Sequence, residues 1–267
     1  MKKTKNIFAY LLRFFLYLIL VAPLLLFAAY AFSTRWFFPQ PFPVEWTSSI
    51  FLRAINDSRV LTSMAQGLWI ALLVSVISLI LSFPAARVLG LRKFRGRQAA
   101  WLALFLPTII PPLAVGMGLN ILFLRIGLAG SIFGVALAHI IPTLPYTIFT
   151  LSSAFARFDE NYEFQALALG ASPLQIFIKV TLRLMTPSLV VAVLFAFLIS
   201  WSQYLLTLLI GGGQIITLPI LLFSTASGGN PSSIAALSLL FIAPPVLIIA
   251  VTAQSLNQHG VEIREQY

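Results

Sequence analysis

Hydrophobic positions fall in six long runs, residues 7–32, 61–89, 99–124, 131–156, 188–210 and 233–256, separated by short polar breaks. Each run is near the roughly 20 residues a helix needs to cross the hydrocarbon of a bilayer. The pattern predicts an all-α polytopic membrane helix bundle with six transmembrane helices. It divides the chain into a first span with an outer loop (1–60), a transmembrane core (61–256) and a short cytoplasmic tail (257–267). The first run follows a basic start, Lys2, Lys3 and Lys5. It is roughly twice as long as a signal-peptide core and lacks a small-x-small cleavage site, so it reads as a retained span.

The longest polar interruption in the second half is residues 159–187. Tyr162, Phe164, Leu167 and Ala171 recur there at helical spacing, and so do Leu174, Phe177 and Ile178 with Thr181. Gly170 permits a turn that a residue with a Cβ resists. Ser172 is the predicted N-cap of a second helix, with Pro173 in its first turn. The segment thus predicts a helix-turn-helix with apolar knobs between spans 4 and 5. Two readings fit it: a docking surface for a cytoplasmic protein, or an amphipathic hairpin lying on lipid.

Composition agrees with a chain whose solvent is the lipid bilayer. It is 60% hydrophobic and only 9% charged, where a soluble domain carries about a quarter charged residues. A net charge of +10 could point to nucleic acid, but the distribution of the basic residues points to topology instead. With the N-terminus inside, thirteen of the 17 Lys and Arg fall on or near the cytoplasmic side: Lys2, Lys3, Lys5, Arg13, Arg87, Arg92, Lys93, Arg95, Arg97, Arg157, Lys179, Arg183 and Arg264. Only Arg35, Arg53, Arg59 and Arg125 fall outside. This bias predicts both termini, and residues 159–187, in the cytoplasm, and no nucleic-acid partner. Trp36, Phe37, Phe38 and Trp46 in the first outer loop suit an interfacial aromatic belt.

The candidate chemistry is sparse. There is no cysteine, hence no disulfide framework or thiolate site. All seven acidic residues, Glu45, Asp57, Asp159, Glu160, Glu163, Glu262 and Glu265, lie outside the runs. An ion-coupled carrier most often keeps a carboxylate within the membrane, so energy is expected to enter from elsewhere. No GxxxxGK[ST] phosphate loop is present, and Gly211-Gly212-Gly213-Gln214 is not one. The chain is therefore not expected to hydrolyse ATP, and no catalytic residue, cofactor or metal site is predicted. Nine of the 16 prolines sit inside the runs: Pro23, Pro84, Pro107, Pro111, Pro112, Pro142, Pro145, Pro244 and Pro245. Each disturbs its helix, and together they suggest helices bending around a pathway. Small residues at Ala114/Gly118 and Gly134/Ala138 are candidates for close helix approach. The polar cluster Ser200-Trp201-Ser202-Gln203-Tyr204 in the fifth run either bonds between helices or lines a solute pathway, and Asn120 and His139 are further candidates.

Several motifs carry a family resemblance. Leu169-Gly170-Ala171-Ser172, followed by Phe177, Val180-Thr181-Leu182 and Pro187, resembles the cytoplasmic "EAA" loop of binding-protein-dependent ABC transporter permeases. Leu106-Pro107, Pro111-Pro112 and Gly116-Met117-Gly118 resemble the same family, as do Leu137-Ala138-His139, Leu144-Pro145-Tyr146, Leu206-Thr207-Leu208-Leu209 and Thr217-Leu218-Pro219. The resemblance spans about residues 60–256 and is nearest to the second permease of spermidine/putrescine-type systems and their thiamine and ferric-ion relatives. It implies a pathway shared with a second permease, a cytoplasmic ABC ATPase dimer, and an extracytoplasmic solute-binding protein that delivers a small polar solute. It also implies ATPase-coupling positions at Glu163, Phe164, Ala166, Gly170, Ala171, Ser172, Phe177, Val180 and Leu182, and pathway positions at Ser200, Ser202, Gln203, Tyr204 and Asn120. Two departures stand out. Phe164 occupies the position of the motif's Glu, with Glu163 one place early, and Arg183 stands where the family has proline. An unequal pair of permeases follows more naturally from such a loop than a symmetric homodimer. The alternatives are a stand-alone secondary transporter or channel, and a non-transporting membrane scaffold.

Overall fold

The computed structural model describes residues 2–34, 36 and 40–264, with side chains described for Tyr10 and for residues 12–253 among them. Arg35, Phe37, Phe38 and Pro39 lie outside the described residues, as do the side chains of Lys2, Lys3, Lys5, Glu262, Arg264 and Glu265. The helices are α1 (Lys2–Ala31), α2 (Ser49–Asn56), α3 (Ser58–Leu91), α4 (Arg97–Ile109), α5 (Pro112–Arg125), α6 (Ile132–Phe155), α7 (Asn161–Ala168), α8 (Pro173–Ile176), α9 (Leu182–Trp201), α10 (Leu205–Gly211), α11 (Leu218–Ser227) and α12 (Pro231–Arg264). A π-helical turn, Phe177–Thr181, joins α8 to α9. Five helices are long and apolar enough to cross a membrane, and the bent pair α4–α5 makes a sixth candidate.

Two compact units divide the chain, Met1–Met64 with Leu218–Pro244, and Ala65–Thr217 with Pro245–Tyr267. In the first, strands β1 (Ser33–Thr34) and β2 (Glu45–Trp46) pair antiparallel with Ser33 opposite Trp46. Ala31, Ala235 and Ala236 form its small core, flanked by Phe32, Ile50 and Phe51. Ser232 donates to the Ser33 carbonyl at 2.9 Å.

The second unit is organised on α6. Of its apolar window 56% is buried, so α6 is the central helix of this unit. α6 packs along α9, and α10 packs on α5 and α6. One cluster joins Ile70, Val74, Phe123, Val135 and Ile210; another joins Ala86, Leu89, Leu151, Phe155 and Met185. Lipid is as apolar as these side chains, so contact shape and interhelical hydrogen bonds, rather than burial from water, hold such helices together.

Proline and glycine act at particular points. The single span expected over 99–124 is two helices, bent by 93°. Pro111 lacks an N–H and disfavours helical geometry at the residue before it. Ile110 is accordingly extended at ψ 137°, and Pro112 opens α5. The fifth run also departs from expectation. Its helix is continuous with the polar segment before it, so that one apolar helix runs over Pro173–Trp201. It breaks at Ser202–Tyr204 before the short α10. α11 lies between the fifth and sixth runs. Of the predicted pairs, Ala138 is fully buried in the core, but their glycines are not points of close interhelical approach. A Cβ on Gly118 would meet nothing within 4 Å, and one on Gly134 would strike the Leu128 carbonyl of its own N-terminal turn. A tight interhelical contact lies at Gly90, where a Cβ would lie 2.5 Å from Phe155 Cβ and 2.7 Å from the Ser152 carbonyl.

Candidate functional site

Residues 159–181 form a hairpin built by two complementary caps. α7 ends in a left-handed turn with Gly170 at φ +85°. The Ala171 N–H bonds to the Ala166 carbonyl and the Gly170 N–H to the Leu167 carbonyl, both at 3.0 Å. This six-to-one and five-to-two pair is a Schellman ending, and it satisfies carbonyls that a helix end leaves open. Ser172 then caps α8. Its hydroxyl accepts from the Gln175 N–H at 3.3 Å, the Gln175 side chain accepts from the Ser172 N–H at 2.9 Å, and Pro173 follows in the first turn. The predicted cap and turn are therefore present, but the second helix is not a free-standing arm. It continues through the π-helical turn into α9, where the Leu182 N–H reaches the Phe177 carbonyl.

The hairpin exposes Tyr162, Phe164, Leu167, Leu174 and Ile178, and Leu169 at its tip is 89% exposed. Ala166, Gly170, Ala171 and Val180 line a shallow hollow of about 350 Å³ with Leu169, Gln175, Ile176 and Lys179. Ser172 is exposed and Leu182 half-buried. The Phe177 ring meets Phe83 of α3 edge-on at 5.6 Å, so it serves inward packing as much as outward contact.

Glu163, among the expected ATPase-coupling positions, turns inward. Its side chain is 13% exposed. Arg87 of α3 grips it with both guanidinium nitrogens, Nη1 to Oε1 at 3.0 Å and Nη2 to Oε2 at 2.5 Å. The Thr181 hydroxyl donates to Oε1. Burial pushes the carboxyl up, but the hydrogen bonds from Arg87 and Thr181 and the charges of Arg87 and Arg92 outweigh it and hold the group below the ordinary carboxylate value. A second, more exposed pair joins Arg92 to Glu160 at 2.7 Å.

The polar cluster of the fifth run splits in two. Ser200 is buried and bonds to His139 Nδ1 at 2.9 Å, while His139 Nε2 meets the Thr207 hydroxyl, also at 2.9 Å. Thr207 donates its proton to the Gln203 carbonyl at 2.9 Å, so Nε2 is the donor in the second pair. Ser200 therefore ties α9 to α6, and His139 carries the link on to α10. Ser202 and Gln203, by contrast, line a cavity of about 490 Å³ together with Pro107, Thr108, Pro112, Tyr146, Phe195 and Ile199. The bend between α4 and α5 and the break after α9 thus both open onto one space. No charged side chain lines it. Asn120 is half-buried on α5, and neither it nor Tyr204 is part of this lining.

Sequence reasoning did not assign Arg87, Thr108 or Tyr146 to either site. Arg87 read as one of many topology-setting cations, and only its position four residues beyond Phe83, on the helix face that meets the hairpin, sets it apart.

A family model described as "Binding-protein-dependent transport system inner membrane component" matches residues 82–258. The chain is 27% identical over 235 residues to the putrescine transport system permease protein PotI of Escherichia coli (strain K12), covering 84% of this chain and 81% of that one. It is 28% identical over 211 residues to a putative 2-aminoethylphosphonate transport system permease protein PhnV of Salmonella paratyphi A, covering 78% of each. The fold is also that of a crystal structure of a bacterial ABC transporter involved in the import of the acidic polysaccharide alginate. That match has a TM-score of 0.74 at 20% identity, covering 94% of this chain and 96% of that one. With its six candidate spans and a family match over most of its length, the chain belongs to the inner-membrane permease components of binding-protein-dependent ABC transport systems.

Proposed function

We propose that this chain is one of two unequal permeases that form the solute pathway of an ATP-driven importer, with both termini and the 159–181 hairpin in the cytoplasm. A cytoplasmic ABC ATPase dimer grips the hairpin and hydrolyses the ATP; an extracytoplasmic binding protein delivers the solute. The observation that carries this reading is the doubly capped hairpin itself. A polar break that only joined two spans would have no reason to hold Phe164, Leu167, Leu169 and Leu174 outward on a doubly capped turn, whereas a segment that must receive force from a partner needs such a surface. Nucleotide binding would favour one state of the assembly and so shift the permeases between inward- and outward-open forms.

The solute is a small polar molecule of the polyamine, thiamine or ferric-ion kind, with amines and aminophosphonates named for the relatives. Ser202, Gln203, Thr108 and Tyr146 offer it hydrogen bonds from a wall without ionised groups. A charged solute would then have its charge met by the second permease. In the first unit, Arg53, Asp57, Arg59 and Asn230 line a cavity of about 450 Å³, in segments that the charge bias assigns to the outer face. We assign contact with the binding protein there.

The test is co-purification of the chain with its ABC ATPase subunits, and ATP-dependent uptake by the reconstituted complex. A Gly170→Asp substitution should abolish the association. Intact ATPase binding in that variant would refute the docking assignment, and uptake by the single chain without ATP would make it a stand-alone transporter.

A further inference from the structure

The outward residues of α7 include the apolar Tyr162, Phe164 and Leu167, but the face turned inward is held by a charged group. Glu163 and Ala166 are the half-buried residues of that helix among exposed neighbours. The backbone of α7 packs chiefly against α8 and the π-helical turn. What reaches beyond the hairpin is the Glu163 carboxylate, which accepts both arms of Arg87 from the end of α3 and the hydroxyl of Thr181 from the root of α9. A forked guanidinium–carboxylate pair fixes distance and orientation together. The Arg92–Glu160 pair nearby has its arginine side chain 62% exposed and holds little by comparison. Phe83, four residues before Arg87, seats its ring against both Phe177 and Phe155. Gly90, three residues after it, brings α3 against α6 at backbone distance. The end of α3 is thus wedged between the hairpin and α6.

We propose that Arg87, Glu163 and Thr181 form a positioning link that makes the hairpin, α3 and the root of α9 move as one body when the hairpin is displaced. Glu163 then acts through Arg87 and touches no partner. This rests on the reading of the hairpin as the ATPase dock, but assigns Glu163 a different role from its exposed neighbours. The early placement of the acid follows physically: one position later, at the exposed site of Phe164, it would face outward and leave Arg87 unpaired.

The absence of cysteine allows a direct test. Spin labels at Asn161→Cys on α7 and Val76→Cys on α3, both exposed, report their separation by pulsed EPR in the permease–ATPase complex, nucleotide-free and vanadate-trapped. With the native link the distribution should stay narrow in both states. Glu163→Gln or Arg87→Gln should broaden it and raise the detached fraction about tenfold, while ATPase association, lost in Gly170→Asp, is retained. The exchange Arg87→Glu with Glu163→Arg should narrow the distribution again. Thr181→Val, a milder change, should broaden it partly and covers the case in which a charge variant does not fold. An unchanged distribution in Glu163→Gln overturns the proposal. Loss of ATPase association in that variant, unrepaired by the exchange, also overturns it, because Glu163 would then be a docking contact.

Discussion

Replacing Gly170 separates the backbone from the side chain as the source of the hairpin's shape. Its φ of +85° lies in the left-handed region, and a Cβ there would meet nothing within 4 Å. Gly170→Ala therefore adds no clash. It adds only the cost of holding an L-residue in left-handed geometry, about 1–2 kcal/mol. That cost falls on the two bonds that close α7, from Gly170 to Leu167 and from Ala171 to Ala166. A loss of 1–2 kcal/mol is a factor of about 5–30 in a local equilibrium, so amide exchange over residues 166–171 should speed up by about that factor, measured by hydrogen–deuterium exchange mass spectrometry. Asparagine enters the same region more readily, and Gly170→Asn should exchange at a rate between wild type and Gly170→Ala. Affinity for the ATPase subunits should fall in the same order, since a partner binds only the fraction that keeps the turn. Wild-type exchange in Gly170→Ala would show that the turn does not depend on positive φ. Equal damage from Ala and Asn would show that the added side chain, not the backbone, is at fault.

Three further outcomes follow from particular contacts. His139→Ala removes the bridge between Ser200 and Thr207 and should destabilise the reconstituted protein by about 1–3 kcal/mol, the cost of leaving a buried polar group unsatisfied, read as a lower thermal midpoint. Gly90→Val drives a side chain into Phe155 and the Ser152 carbonyl and should cost about 1–3 kcal/mol, whereas Gly118→Ala, with open space around it, should leave the midpoint unchanged. Glu163 has its pKa lowered, so its contribution is complete above the ordinary carboxyl value near 4.5 and is lost as pH falls through the lowered folded value. Exchange of α7 amides should therefore be flat from neutral pH down to about 5, after correction for intrinsic rates, and rise only below it; Glu163→Gln should remove that acid step.

Much of this protein is legible from pattern alone, because lipid imposes a coarse and strict rule. Helices that cross it must be long and apolar, so counting runs finds six candidate spans, though not the bounds of the fifth or the break in the third. The local signals at the hairpin were equally readable. Gly170, Ser172 and Pro173 act on their own neighbours within a turn, so sequence distance is spatial distance. What local pattern could not supply was direction. Ser200 and Ser202 are two residues apart in one polar cluster, yet Ser200 turns to His139 and Ser202 to the cavity. The helix turns about 200° between them, and only the packing of α9 on α6 decides which side is inside. Glu163 and Phe164, one position and about 100° apart on α7, likewise face inward and outward. The partner that turns Glu163 inward, Arg87, lies 76 residues earlier in the chain. The run over 99–124 shows the same division. Pro111 and Pro112 marked where that helix must yield, and the sequence by itself determined that much. The 93° bend, and the cavity it shares with the break after α9, were decided only by the tertiary structure, because a missing N–H permits a bend while packing against neighbouring helices sets its angle.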